Sequence, residues 1–161
     1  MGKIKQYMLE RKARKELGEE KYYALREEFL RVFNEVCMGF GGDASGKAIV
    51  REMKALKDKM WMENLFKILG TAMLVVSIWR SDIYSARDTF VGCATGVILA
   101  SVAKFKNMYT NRSYNDATDE LIDYVTTKVN KLDNVSLAEG FEGNQETLRV
   151  VYKDACDDLV Y

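Results

Sequence analysis

One stretch of the sequence has the spacing of a phosphate-binding loop. Residues 41–47, GGDASGK, match the first seven positions of the pattern G-x-x-x-x-G-K. In that motif the backbone N–H groups between a strand and a helix bind phosphate, and a Ser or Thr after the Lys holds magnesium. Here the next residue is Ala48, and the preceding residues have a helical pattern. We therefore interpret the stretch as a glycine-rich break between helices, with Asp43 or Ser45 as the next N-cap.

Other residue types that perform chemistry are few. The chain has no histidine, which removes the usual acid–base group and the commonest metal ligand. Its three cysteines are widely spaced and form no C-x-x-C pair, so neither a zinc site nor a disulfide framework is indicated. Adjacent acids at 119–120 and 157–158 point in different directions on a helix. The sequence therefore predicts no catalytic residue, no metal site, no cofactor and no small-molecule substrate, and the protein is not expected to be an enzyme.

The formal charges cancel over the whole chain but are segregated along it. Through Arg112 there are 20 basic and 13 acidic residues, and from Ser113 onward 4 basic and 11 acidic. Residues 3–16 hold six of the basic residues and predict a basic helix that lies on an anionic membrane, binds an acidic partner or is simply solvated. Nucleic acid is not expected as a partner, because the chain is neutral and this stretch lacks interleaved aromatics. The segregation favours either contact of one end with an anionic surface or, equally, pairing of the two ends within one molecule or between copies.

Apolar residues recur at three- and four-residue steps through most of the chain, which has no proline to interrupt a helix. Helices are predicted over 19–38, from 44 to about 80, over 116–132 and over 144–160. The third of these is expected to be capped by Asn115 or Asp116, and Leu132 is expected to lie on its apolar stripe. The predicted fold class is therefore all-α, with a central hydrophobic helical hairpin and flanking amphipathic helices.

The hairpin consists of two apolar runs, 65–79 and 89–103, joined by a polar turn over 80–88. Each run of fifteen residues reaches about 22 Å, which is short of the roughly 30 Å of membrane hydrocarbon. Both runs would therefore also suit core helices of a soluble bundle. The predicted regions are a basic helix or tail at 1–17, amphipathic and charged helices at 18–60, the hairpin at 61–106 and an acidic helical region at 107–161.

Residues at the ends of the two runs favour a membrane. Lys67 and Lys104 sit at the ends away from the turn, where long side chains carry the charge to the interface. Trp61, Trp79 and Tyr84 fall near the predicted interfaces, which amphipathic rings prefer. Basic residues predominate on both outer flanks, whereas the charges of the turn balance. This pattern predicts two transmembrane helices in an inner or cytoplasmic membrane, with both termini cytoplasmic.

The second run has a face of small residues. Gly92, Gly96 and Ala100 follow one another at four-residue steps, a spacing that allows close helix packing. Gly70 and Ala72 of the first run are expected to supply the matching surface. This face would either hold the hairpin together or join copies of the chain.

The layout of residues 46–132 resembles that of the SLATT family of bacterial two-transmembrane effector domains, which are associated with nucleotide-sensing conflict systems. The resemblance rests on the charged lead-in KALKDKMWMENLFKILG and the polar exit AKFKNMYTNRSYNDATDELIDYV. It implies a protein that forms oligomers and perforates the inner membrane without catalytic residues. A phage holin is similar in layout to a comparable degree.

These patterns lead to two functional hypotheses. The first is a small two-pass membrane protein that self-associates through Gly92, Gly96 and Ala100 and acts as a pore-forming or membrane-perturbing effector, with lipid and other copies as partners. The alternative is a non-enzymatic helical structural subunit of a larger viral, phage or organellar assembly. In that alternative the protein is cytoplasmic, and the hairpin is buried against partner chains.

Overall fold

The computed structural model describes residues 3–38, 44–132, 136–138 and 141–160. Its elements are α1 (Lys3–Leu17), α2 (Glu19–Phe33), a π-helical turn (Asn34–Met38), α3 (Ala44–Trp79), α4 (Ala86–Val129) and α5 (Gln145–Asp158). The described residues contain no strand. The predicted all-α fold with a hydrophobic helical hairpin and flanking helices is confirmed.

The chain divides into two compact units. The first, here called the bundle, comprises Met1–Ala55 and Tyr114–Tyr161, and the second, the hairpin unit, comprises Leu56–Ser113. Both α3 and α4 contribute residues to each unit. The two units bury their apolar residues very differently.

The bundle has a well-packed apolar core. The stripe predicted for α2 is buried, and Phe29 at its centre stacks on Tyr152 of α5 with ring centroids 4.6 Å apart. Residues of α4 and α5 complete the core, including Val125 and Val151, both fully buried. Burial of these side chains supplies the main force that folds the bundle.

Ion pairs join the basic and acidic ends of the chain within the bundle. The Tyr22 hydroxyl donates to Asp154 Oδ2 at 2.9 Å, and Arg26 Nε lies 3.3 Å from the same oxygen. Arg26 also pairs with Asp158. Burial raises the pKa of Tyr22, and the contact with Asp154 raises it further. The expected pairing of the two ends therefore occurs inside one molecule.

The junction between α2 and α3 departs in part from the prediction. Glycines 39, 41 and 42, the proposed cap Asp43 and the start of the loop-like motif lie outside the described residues. Because α3 begins at Ala44, Ser45 lies in the first helical turn, and its prediction as the N-cap is wrong. Gly46 is buried against Cys37, where an added Cβ would lie 2.6 Å from the sulfur. The π-helical turn that carries Cys37 was not predicted.

The distal part of α4 also differs from the prediction. No new helix starts at Asn115 or Asp116, because α4 runs unbroken from Ala86 to Val129. No glycine or proline occurs after Gly96 in this helix, so nothing in the chain interrupts it. Leu132 lies beyond the helix end and is exposed, so it does not belong to the apolar stripe. The last helix matches its prediction closely, with Asn144 Oδ1 accepting from the Glu146 N–H at 2.9 Å as its N-cap.

Candidate membrane-spanning hairpin

A short capped turn joins the two long helices of the hairpin unit. It occupies residues 80–85, and the Arg80 N–H still donates to a carbonyl of α3. Ser85 caps α4, since its Oγ accepts from the Asp88 N–H at 3.2 Å and donates to the Asp88 carboxylate at 2.7 Å. The turn is shorter than the predicted 80–88, because Arg87 and Asp88 already belong to α4.

Glycines bring the backbones of α3 and α4 into direct contact along what we call the seam. A Cβ added to Gly70 would lie 2.7 Å from Ala100 N and 2.9 Å from Gly96 O. One added to Gly96 would lie 2.7 Å from Gly70 O. Nearer the turn, Gly92 packs directly on Ser77. Any larger side chain at these glycines would force the helices apart, so the seam depends on residues without a Cβ.

The seam uses the small-residue face that the sequence singled out. The sequence left open whether Gly92, Gly96 and Ala100 hold the hairpin together or join copies, and in the structure α3 of the same chain covers them. Gly70 supplies the matching surface as expected. Ala72 does not, because it is exposed on another face of α3. Association between copies stays a prediction, and it requires a different surface while the hairpin is closed.

A buried polar contact closes the seam at the end away from the turn. The Thr110 hydroxyl donates to Glu63 Oε1 at 2.9 Å, and the two residues are only 1% and 6% exposed. Glu63 Oε2 is also buried and makes no hydrogen bond within the described part of the chain. Alongside, Asn107 Nδ2 donates to Met60 O at 3.3 Å. These contacts fix the register of the two helices at this end.

Sequence reasoning missed this polar contact. Glu63 and Thr110 are 47 residues apart, and no local pattern links them. A signal was nevertheless available, because Glu63, Gly70 and Ser77 follow one another at seven-residue steps and so share one helix face. An acid in line with a packing glycine is a candidate for burial.

The outer surface of the hairpin unit is apolar and uncovered. Both α3 and α4 are long and apolar enough to cross a membrane, yet only 11% of the most apolar stretch of each is buried. A core helix of a soluble protein would be mostly buried. The exposed large apolar side chains on the two runs are Leu65, Phe66, Ile68, Leu69, Met73, Val75, Val76, Ile78, Trp79, Phe90, Val91, Val97, Ile98 and Val102. Among the described residues, therefore, nothing else in the chain covers this surface.

The residues predicted for the membrane interface are all exposed. Trp61 and Trp79, 68% and 77% exposed, lie on α3 about 27 Å apart at about 1.5 Å per residue. That separation is close to the roughly 30 Å of hydrocarbon in a bilayer. Tyr84 lies in the turn near Trp79 in the chain, and Lys67 and Lys104 are exposed on their respective helices.

Sequence reasoning missed one further exposed aromatic, at the end of the hairpin away from the turn, here called the open end. Tyr109 is 72% exposed. It lies two residues after Asn107, whose side chain contacts Met60, and Met60 precedes Trp61 in the chain. The register therefore brings Tyr109 to the level of Trp61. The sequence placed it in the polar exit rather than at the end of a span, because Lys104 and Lys106 precede it.

The hairpin unit offers little that could perform a reaction. Within the described ranges there is no group of three or more His, Cys, Asp or Glu side chains that could hold a metal ion. A groove of about 670 Å³ lies along one face of α3 between Asn64 and Val76, but it is open and largely apolar. What this surface can do is contact lipid or another apolar helix. No family model, no curated protein and no solved structure matches this chain.

Proposed function

We propose that this chain is a two-pass membrane protein whose hairpin unit spans an inner or cytoplasmic membrane. The observation that carries the proposal is the exposure of the apolar surface of α3 and α4, of which only 11% is buried in the most apolar stretches. Apolar surface left in water costs about 25 cal/mol per Å², whereas lipid tails cover it without that cost. Trp61 and Trp79, near the two ends of the first apolar run, support the same assignment.

The charge pattern supports an orientation with both termini in the cytoplasm. Lysines 54, 57 and 59 precede the first span, and Lys104, Lys106 and Arg112 follow the second. The turn and the first residues of α4, 80–88, carry two Arg and two Asp residues, which balance. Positively charged flanks stay on the cytoplasmic side during insertion, and the neutral turn crosses.

We further propose that copies associate in the membrane and perturb it, as the resemblance to SLATT effectors and to holins implies. With the small-residue face used inside the hairpin, the α3 groove is the surface on which copies would meet. It carries Asn64, Lys67 and Thr71 on an otherwise apolar face. Polar side chains that face lipid favour contact with another helix, because a neighbouring polar group replaces the hydrocarbon.

Membrane insertion is tested by fractionation of cells that express the full chain, followed by an alkaline carbonate wash. Retention in the pellet, with release only by detergent, is the expected result. For the orientation, one cysteine is introduced at Ile83 or at Lys47 in a Cys93→Ala background, where the remaining Cys37 and Cys156 are buried. Intact cells are then treated with a membrane-impermeant maleimide. Ile83→Cys should react and Lys47→Cys should not, and the reverse pattern would overturn the proposed topology.

Association is tested by crosslinking in detergent, with Thr71→Leu on the groove compared with Val97→Leu on the outer face of α4. We expect the first substitution to reduce the yield of oligomers and the second to leave it unchanged. Equal yields would exclude the groove as the contact. Membrane perturbation predicts loss of membrane potential on induction, and a normal potential at high expression would contradict it.

A second candidate is the structural subunit of a larger assembly, in which partner chains cover the same apolar surface. The observation that favours it is the bundle, whose fully buried core does not depend on lipid. In this case the carbonate wash would release a folded helical protein. That single result separates the two proposals.

A further inference from the structure

Helix α1 is docked on the bundle by one side. Ala13 is buried, Gln6 Nε2 donates to Asp157 at 3.2 Å, and Glu16 accepts from the Thr147 hydroxyl at 3.1 Å. These contacts fix which face of α1 is turned inward, and therefore also which face is turned outward.

The outward face of α1 combines cations with exposed apolar groups. At about 100° per residue, six exposed positions fall within one arc of roughly 160° around the helix. They are Lys5, Tyr7, Met8, Arg11, Lys12 and Lys15. Among the described residues, none of the four cations is in an ion pair, and Tyr7 and Met8 are each 65% exposed. We call this surface the basic face.

We infer that the basic face of α1 binds the anionic headgroups of the membrane in which the hairpin is embedded. Its four cations are complementary to an anionic leaflet, and an aromatic and a thioether side chain between them can enter the headgroup boundary. Exposed apolar groups on the same arc favour a lipid surface over a nucleic acid backbone, which would use the charges alone. The inference rests on the proposed function, because it is the hairpin that anchors the chain in the bilayer.

The test uses the full chain with Met8→Cys and Cys93→Ala, labelled with a fluorophore at position 8. The two remaining cysteines, Cys37 and Cys156, are buried. The protein is reconstituted into phosphatidylcholine vesicles with or without phosphatidylglycerol, and spin-labelled lipid serves as the quencher. We expect quenching only with phosphatidylglycerol, and its loss in about 1 M salt, where the screening length falls to about 3 Å.

A triple variant of the basic face, Arg11→Gln with Lys12→Gln and Lys15→Gln, should abolish the quenching. Each basic residue near an anionic leaflet raises the membrane-binding constant about fivefold. Removal of three should therefore shift the equilibrium between bound and free α1 about a hundredfold towards the free state. The matched control is Lys47→Gln with Arg51→Gln and Lys131→Gln, which removes the same charge from exposed positions of the bundle outside α1. The control should keep the quenching.

The outcomes separate this inference from the proposed function. If the protein resists a carbonate wash of the vesicles but the label is not quenched, only the inference about the basic face is overturned. Protein that washes off overturns the membrane-spanning hairpin as well. Quenching that is equal without phosphatidylglycerol, or that the control triple also removes, excludes recognition by the basic face. If single-stranded RNA changes the fluorescence of the label and anionic lipid does not, the basic face binds nucleic acid instead.

Discussion

The two units of this chain treat apolar side chains in opposite ways. In the bundle, Phe29 and Val151 are fully buried, whereas in the hairpin unit Phe90 and Ile98 are 73% and 63% exposed. The bundle therefore has the construction of a water-soluble domain, held by side chains that interdigitate. The hairpin unit is held by backbone contact at glycines and leaves its large side chains outside. The two units are not distinguished by having apolar side chains but by where these side chains point, which is inward in the bundle and outward in the hairpin unit.

The strongest test of this comparison removes one large side chain from each unit. We expect Phe29→Ala to lower the free energy of unfolding by about 3–5 kcal/mol, because it leaves a cavity beside Tyr152. Ile98→Ala, at an exposed position, should change it by less than about 0.5 kcal/mol. Urea unfolding of the full chain in detergent, followed by circular dichroism, measures both. Equal losses would mean that the hairpin surface is packed in a way that the structure does not show.

The second test asks whether the seam forms within one chain. Ser77→Cys with Gly92→Cys, in a Cys93→Ala background, should give a disulfide inside the monomer. A Cβ at position 92 would lie 3.1 Å from that of Ser77. Disulfides span about 3.5–4.5 Å between Cβ atoms, so the helices need to part by only about 0.5 Å here. Adding Gly96→Leu should lower the yield severalfold, because overpacking at the seam costs about 1–3 kcal/mol. Val97→Leu, at a half-exposed neighbour, is the control. Disulfide-linked dimers on a non-reducing gel would instead assign the small-residue face to association between copies.

The third test concerns the polar contact at the open end of the hairpin. Thr110→Val keeps the shape of the side chain but removes the hydroxyl that donates to Glu63. We expect a loss of about 1–3 kcal/mol, because the buried carboxyl then has no donor. Thr95→Val is the matched control, since the Thr95 hydroxyl is exposed and bonds only within α4. Unfolding in SDS reports both, and a similar small effect for the two variants would show that Glu63 is solvated.

The smallest expected effect lies on the surface of the bundle. Burial alone would raise the pKa of Asp119, but hydrogen bonds from Lys153 and Arg149 outweigh it and hold that pKa below the usual 3.8. The stabilisation is therefore fully present above about pH 4 and is lost as the pH falls through the lowered pKa.

Replacement of this carboxylate by Asp119→Asn should cost about 0.5 kcal/mol at neutral pH, since the pair is partly exposed. The cost should shrink in acid as the wild-type carboxyl takes up its proton. The exposed Asp116→Asn should show neither effect, and urea unfolding at several pH values compares the two variants. A cost for Asp119→Asn that stays constant with pH would contradict the assignment.

The sequence predicts the helices and the seam, but it does not predict how α3 and α4 align along the seam. The step of three and four residues located α2, and the four-residue step of Gly92, Gly96 and Ala100 located the packing face, because both patterns are local. The contact of Glu63 with Thr110 depends on how two helices align across a turn, which no local pattern encodes. The prediction at Asn115 is wrong for another reason: a residue that often caps a helix starts none here, because no glycine or proline interrupts the helix that runs through it.

The balanced turn has a consequence for how the protein enters its membrane. In the proposed topology the turn crosses the bilayer, and each unit charge moved through 100 mV gains or loses about 2.3 kcal/mol. In the turn Arg80 is matched by Asp82, and at the start of α4 Arg87 is matched by Asp88. The electrical work on the whole turn is therefore close to zero, and the membrane potential neither drives nor opposes its passage. Insertion of this hairpin should proceed equally well in energised and in de-energised membranes.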